Sequence, residues 1–214
     1  MKQLRVLLSI FLLAAAGAAS GQSSSLDKFL RAVNDGDART VAALLSQGLD
    51  PDSADPQGNT VLMIASRLGH KEVVQVLIGR AHVTRISAHG DTALNFAALG
   101  GHLEVVKLLV ENGAPVSAST GWAPLHYAAF ENRPEVVKYL ITKGANKDAL
   151  APNGYTALML AARNGHLEAA TALLYADADL GIRGPKGETA LSIAMVKINN
   201  EEMVKLLKRA GAAN

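Results

Sequence analysis

The chain has 214 residues, 49% of them hydrophobic, 19% charged and 4% aromatic, with no cysteine. Such a length and apolar content suit a folded chain and exclude a disordered, collagenous or disulfide-stapled one. Without cysteine, thiolate metal sites, cysteine nucleophiles and a lipidated N-terminal cysteine are excluded too.

The first element in chain order is a leader. Lys2 and Arg5 precede an apolar stretch from Val6 to Ala16, then come small residues from Gly17 to Gly21 before polar Gln22. A charged start, a short apolar centre and a small-residue zone predict a signal peptide over residues 1–21, cleaved between 18 and 22. A spanning helix needs about 20 apolar residues, more than this stretch holds. The leader takes two of the 21 Lys and Arg and none of the 19 Asp and Glu, so the formal charge of +2 falls to zero in the mature chain. A neutral body lacks the basic stripe of a nucleic-acid binder or a polybasic membrane binder, so neither partner is expected after cleavage.

Residues 26–54 carry two helical stripes, Phe29-Leu30-Ala32-Val33 and Val41-Ala42-Leu44-Leu45, ending at Gly48. From Asp55 onward the sequence overlays on itself. Gly58-Asn59-Thr60-Val61-Leu62 returns as Gly90-Asp91-Thr92-Ala93-Leu94, Gly121-Trp122-Ala123-Pro124-Leu125, Gly154-Tyr155-Thr156-Ala157-Leu158 and Gly187-Glu188-Thr189-Ala190-Leu191, with leucines 32, 31, 33 and 33 residues apart. Alanines follow each leucine, and three units continue with Gly69-His70, Gly101-His102 and Gly165-His166. Each unit predicts a glycine turn, a short helix, a tight corner and a second helix with an apolar stripe. No unit buries its apolar face alone, so stacking is obligatory.

This pattern resembles the ankyrin repeat, whose period is about 33 residues and whose signature is Thr-Pro-Leu-His-x-Ala. Its nearest copy is Ala123-Pro124-Leu125-His126-Tyr127-Ala128. The resemblance implies an all-α solenoid of about six helix-turn-helix units with short β-turn fingers. The expected boundaries are an N-terminal capping repeat at 26–54, four repeats at 55–86, 87–117, 118–150 and 151–183, and a C-terminal capping repeat at 184–214. Second helices in the family end in glycine, where the chain turns left-handed, and Gly48, Gly113, Gly144 and Gly211 comply. Ala81 and Asp177 stand at the matching positions, and a left-handed alanine costs roughly 1 kcal/mol. The signature is also altered at Val61 and Met63, so the junction of the second and third units is expected to be the softest.

No phosphate loop, nucleophile elbow or zinc-protease helix occurs, and no catalysis or cofactor is expected. His70, His102 and His166 recur one per repeat, about 10 Å apart by helix packing, whereas ligands to one metal must converge to about 2 Å from it. They read as corner residues bonding backbone, and His126 as a structural hydrogen bonder. His82 and His89 flank one finger and offer at most a weak metal site. The paired aspartates, Asp35 and Asp37, Asp50 and Asp52, Asp177 and Asp179, sit at helix ends and turns, where they cap backbone amides.

Five of the nine aromatic residues fall between 122 and 155. Trp122 and Tyr155 follow turn glycines, a place held elsewhere by polar Asn59, Asp91 and Glu188 and therefore expected to be exposed. Phe130 ends a first helix where other units carry Arg67, Leu99 or Arg163. The resemblance implies that turn tips and first-helix ends line a concave binding face. Aromatic and arginine side chains anchor protein interfaces, so Trp122, Phe130 and Tyr155 with Arg67, Leu99, Glu131, Arg163 and Asn164 form the expected partner-binding surface. Tyr127 and Tyr139 lie on core stripes and are assigned to packing. The expected function is that of an exported, monomeric module in the periplasm or outside the cell, binding a protein partner. The alternative is a dedicated inhibitor, immunity or assembly factor for one exported enzyme.

Overall fold

A computed structural model describes residues 25–117, 121–197 and 200–212. The leader over residues 1–21 lies outside the described residues. Helices follow in pairs: α1 (Ser25–Asn34) and α2 (Ala38–Ser46), α3 (Val61–Leu68) and α4 (Lys71–Ile78), α5 (Ala93–Gly100) and α6 (Leu103–Glu111). Next come α7 (Pro124–Phe130) and α8 (Pro134–Thr142), α9 (Ala157–Asn164) and α10 (Leu167–Tyr175), α11 (Ala190–Lys197) and α12 (Glu201–Arg209). The architecture is an all-α repeat solenoid, and the described residues contain no strand beyond one isolated bridge between Ala54 and Thr60.

First helices begin where a side chain can satisfy their open N–H groups. Thr60, Thr92, Thr156 and Thr189 accept from the backbone three residues on, at Met63, Asn95, Met159 and Ser192. Such a cap contributes about 1 kcal/mol. Ala123 has no hydroxyl to offer, and α7 instead starts on Pro124, whose fixed φ suits a helix start and which brings one fewer unpaired amide hydrogen to it. His126 completes this start: its Nδ1 accepts from the Ala123 amide at 3.1 Å while Nε2 bonds the Ala149 carbonyl at 2.9 Å. In the second unit the Met63 sulfur accepts from the Thr60 amide at 3.3 Å, taking over half of that task.

The core is a continuous ladder. First helices pack on first helices through Ala65, Ala97, Ala98, Ala128, Ala129, Ala161, Ala162 and Ala194, all fully buried. Second helices contribute the larger Val73, Val74, Leu77, Val105, Val106, Leu109, Val136, Val137 and Leu140. Small side chains let the first helices approach more closely than the second, which makes them the inner row of the stack. Between helices of one pair the chain turns at a left-handed residue, Gly69, Gly101 or Gly165, with Asn132 at φ 53° in the fourth unit. A Cβ on Gly69 would meet the His102 ring at 2.5 Å, so the corner needs glycine for contact as well as for conformation.

The expected strain at Ala81 is absent. Asp177 is left-handed at φ 56°, like Gly113 and Gly144 at 90° and 89°, but Ala81 is not among the residues of positive φ. Helix α4 stops a residue short of its counterparts, and the Leu77 carbonyl accepts from both Arg80 and Ala81, closing the helix on the right-handed side. The junction of the second and third units thus carries no alanine penalty. The first and second units, for their part, are tied through the buried Asp52 carboxylate, which accepts from the His82 backbone amide at 2.8 Å and pairs with its ring.

Ala81→Gly is expected to lower stability by about 0.5–1 kcal/mol, since it adds freedom to the unfolded chain and relieves nothing. Asp177→Gly should leave stability unchanged or raise it, and urea denaturation separates the two. Burial pushes His126 below its ordinary pKa of 6.5, and its folded role requires an unprotonated Nδ1. The unfolded chain therefore takes up the proton more readily, and the contribution of His126 declines as pH falls through 6.5. Thermal melts at pH above and below that point should differ less for His126→Gln than for the parent protein.

Candidate functional site

At the ends of the first helices α1, α3, α5 and α7 a backbone carbonyl accepts from a side chain of the next repeat. His70 Nε2 bonds the Asn34 carbonyl at 2.9 Å, His102 Nε2 bonds that of Arg67 at 3.0 Å, and Arg133 Nε donates to that of Leu99 at 3.2 Å. Asn164 Nδ2 donates to the Phe130 carbonyl at 3.0 Å. These bonds satisfy helix C-terminal carbonyls across the repeat seams and hold the first-helix ends in one row. His70 and His102 are structural in this sense. Arg133 performs the same task without the Gly-His pair, and its position after Asn132 in the overlay is the signal by which sequence reading finds it.

The candidate residues lie along this row. Arg67, near the end of α3, is half-buried, with its guanidinium 5.9 Å from the Phe96 ring. Leu99 is half-buried near the end of α5, and Phe130 and Glu131 stand half-buried at the end of α7. Arg163 lies 5.8 Å over the Tyr155 ring, and Asn164 is exposed beside it. Trp122 meets Phe130 edge-on with centroids 6.1 Å apart, and also approaches Tyr127 at 5.6 Å and His126 at 6.0 Å. The structure therefore joins Trp122, Phe130 and Asn164 in one cluster and Tyr155 with Arg163 in a second. It pairs Arg67 with buried Phe96, which was not among the expected surface residues.

The place after the turn glycine is not exposed, contrary to expectation. Trp122 and Tyr155 are half-buried and Asp91 is only 8% exposed. The finger returns toward the body there, through bonds such as Ser87 N–H to the Asp91 carbonyl at 2.8 Å. Asp91 and Glu188 are polar at this place because they serve the seam, whereas Asn59 bonds Asp55 of its own finger. Asp91 accepts from the Tyr127 hydroxyl of the next unit at 2.5 Å, and Glu188 accepts from the Tyr155 hydroxyl at 2.6 Å. Burial, with the Asp91 carboxylate beside it, pushes the Tyr127 hydroxyl far above its ordinary pKa. The Glu188 carboxylate is held below its usual value chiefly by the Tyr155 hydrogen bond.

Other sequence candidates are also tied to the scaffold. Asp37 caps α2 by accepting from the Thr40 amide at 3.0 Å, Asp50 accepts from the Asp52 amide, and Asp179 accepts from the Gly181 amide. His82 pairs with Asp52, and His89 bonds through its amide to the Ser87 hydroxyl. Among the described residues no three His, Asp or Glu side chains are grouped as a metal site would require. No helix among them is long and apolar enough to cross a membrane.

Comparison with known proteins agrees with this geometry. The family model described as "Ankyrin repeats (3 copies)" matches residues 29–120, 81–150 and 125–214, and the chain belongs to the ankyrin-repeat family. A solved ankyrin repeat domain from Acinetobacter baumannii AYE is similar at 28% identity and a TM-score of 0.75, over 86% of this chain and 98% of its own. No curated protein matches. Ankyrin repeats mark the chain as a module for protein–protein interaction, in a family that is in general a non-catalytic scaffold.

Tyr127→Phe leaves the buried Asp91 carboxylate without its hydroxyl partner and is expected to cost about 1–3 kcal/mol in denaturant unfolding. Tyr155→Phe, whose partner Glu188 sits closer to water, should cost clearly less.

Proposed function

We propose that this is an exported ankyrin-repeat protein that binds a protein partner through its concave face, on the inner row of first-helix ends. The observation that carries this reading is the Trp122–Phe130 cluster, two half-buried aromatic rings packed edge-on in a row otherwise held by Arg67, Leu99 and Arg163. Rigid aromatic side chains beside arginines are efficient interface anchors, because little side-chain freedom remains to be lost on binding. The protein works as a monomer, without catalysis and without nucleic acid. Its setting is the periplasm or the extracellular space, supported by the leader pattern at residues 1–21 and by likeness to a bacterial ankyrin repeat domain of similar extent.

A pull-down from the host's exported fraction tests the site. Residues 22–214 should retain a specific partner that a Trp122→Ala/Phe130→Ala variant loses while keeping its helical circular dichroism and cooperative melt. Equal retention by both baits would place the binding surface elsewhere. Intact mass spectrometry of the full chain expressed in a bacterium should show removal of the leader after residue 18, 19, 20 or 21.

A further inference from the structure

The last repeat does not end the ladder in the way the inner repeats continue it. Four residues after the signature leucine, Ala98, Ala129 and Ala162 lie fully buried, whereas the same place in the sixth unit is Met195, 42% exposed. Val196 beside it is 82% exposed. Helix α11 packs on α9 and α12, and α12 on α10 and α11, so no helix among the described residues covers their far side. A methionine at the alanine place also keeps a further repeat from seating closely there, because first helices of this stack meet through small side chains.

The uncovered side is apolar in its middle and charged toward its ends. Met195 and half-buried Val204 share an open depression with Glu201 and Lys205. Along α12 the exposed Glu201 and Lys208 stand two turns apart, about 10 Å along one side of the helix. Their midpoint falls between Val204 and Lys205. The Lys205 ammonium at that midpoint is neutralised within its own helix, 2.9 Å from Glu202 and 3.8 Å from Glu201. Lys208 makes no ion pair among the described residues. A helix side with acid near its start, an apolar middle and base near its end is complementary to itself when turned end over end.

Independently of the concave-face reading, we propose that the occupant of this end face is a second copy of the chain. The two α12 helices run antiparallel about a two-fold axis at the Val204–Lys205 midpoint. Glu201 of each copy then meets Lys208 of the other, while Met195 and Val204 of both are withdrawn from water. A two-fold contact closes on itself and does not grow into a filament. The edge of a nine-residue helix is small beside the total of about 1,200 Å² that a stable interface buries, so copies are single when dilute and pair at high concentration. The inner row stays open, and each copy remains a complete binding unit.

Sedimentation equilibrium of the mature chain at rising concentration tests this. The average mass should climb from that of one chain toward about twice that value and no further. Glu201→Lys and Lys208→Glu, each alone, oppose like charges at both ends of the contact and should weaken pairing about tenfold or more. An equimolar mixture of the two variants should pair again, because every end contact then joins opposite charges; this recovery also shows that both variants are folded. A single chain at every concentration would overturn the proposal, as would pairing that neither variant weakens, or a mixture that fails to recover it. Mass that climbs past two copies would overturn it too, since a head-to-tail contact gives that result. Loss of the captured protein partner in Glu201→Lys, with no pairing of the parent chain, would assign the end face to that partner instead. The concave-face reading fails or stands separately, through Trp122→Ala/Phe130→Ala, a change that pairing should ignore.

Discussion

Alanine-to-alanine contact between successive first helices is the constraint from which the rest of the molecule follows. Ala97, Ala98, Ala128, Ala129, Ala161 and Ala162 are fully buried where one inner helix crosses to the next. A larger residue there would separate the repeats, open the seam bonds and expose the valine and leucine stripes behind them. Close approach on the inner side and larger side chains on the outer side also set which face of the stack is gathered inward.

Once the inner helices are that close, their C-terminal carbonyls can be satisfied only from the neighbouring repeat. His70, His102 and Arg133 answer that demand from one position of the overlay, and Asn164 answers it from two residues earlier, so different side chains serve one kind of carbonyl. The same logic governs the finger bases. Asp91 and Glu188 receive a tyrosine hydroxyl from the adjacent unit or finger, so the acids of the inner side serve the scaffold. The Trp122–Phe130 pair stands beside these seams as a half-buried aromatic cluster on the same row.

Much of this was legible beforehand. The recurrence of Thr-x-Leu with alanine, the glycine turns and the paired stripes are local signals, and helix caps at Thr60, Thr92 and Thr156 form as such signals dictate. Two inferences failed for physical reasons. Ala81 was read as left-handed by register with Gly113 and Gly144, yet α4 ends a residue early and avoids that conformation. Asn59, Asp91 and Glu188 suggested an exposed place, yet polarity there marks a buried or half-buried partner for a hydroxyl or an amide.

The amino-acid sequence by itself determined the repeat, its period, its obligatory stacking and the membership of each helix in a pair, because these rest on contacts within about 35 residues and on periodicity. Only the tertiary structure decided which side chains are spent on seams between repeats. Arg67 lies over Phe96, Asp91 disappears beneath Tyr127, and Tyr155 donates to Glu188, each pairing made across a repeat boundary. Such pairings depend on the offset and rotation between neighbouring units, which packing of the whole ladder sets and which no single unit encodes.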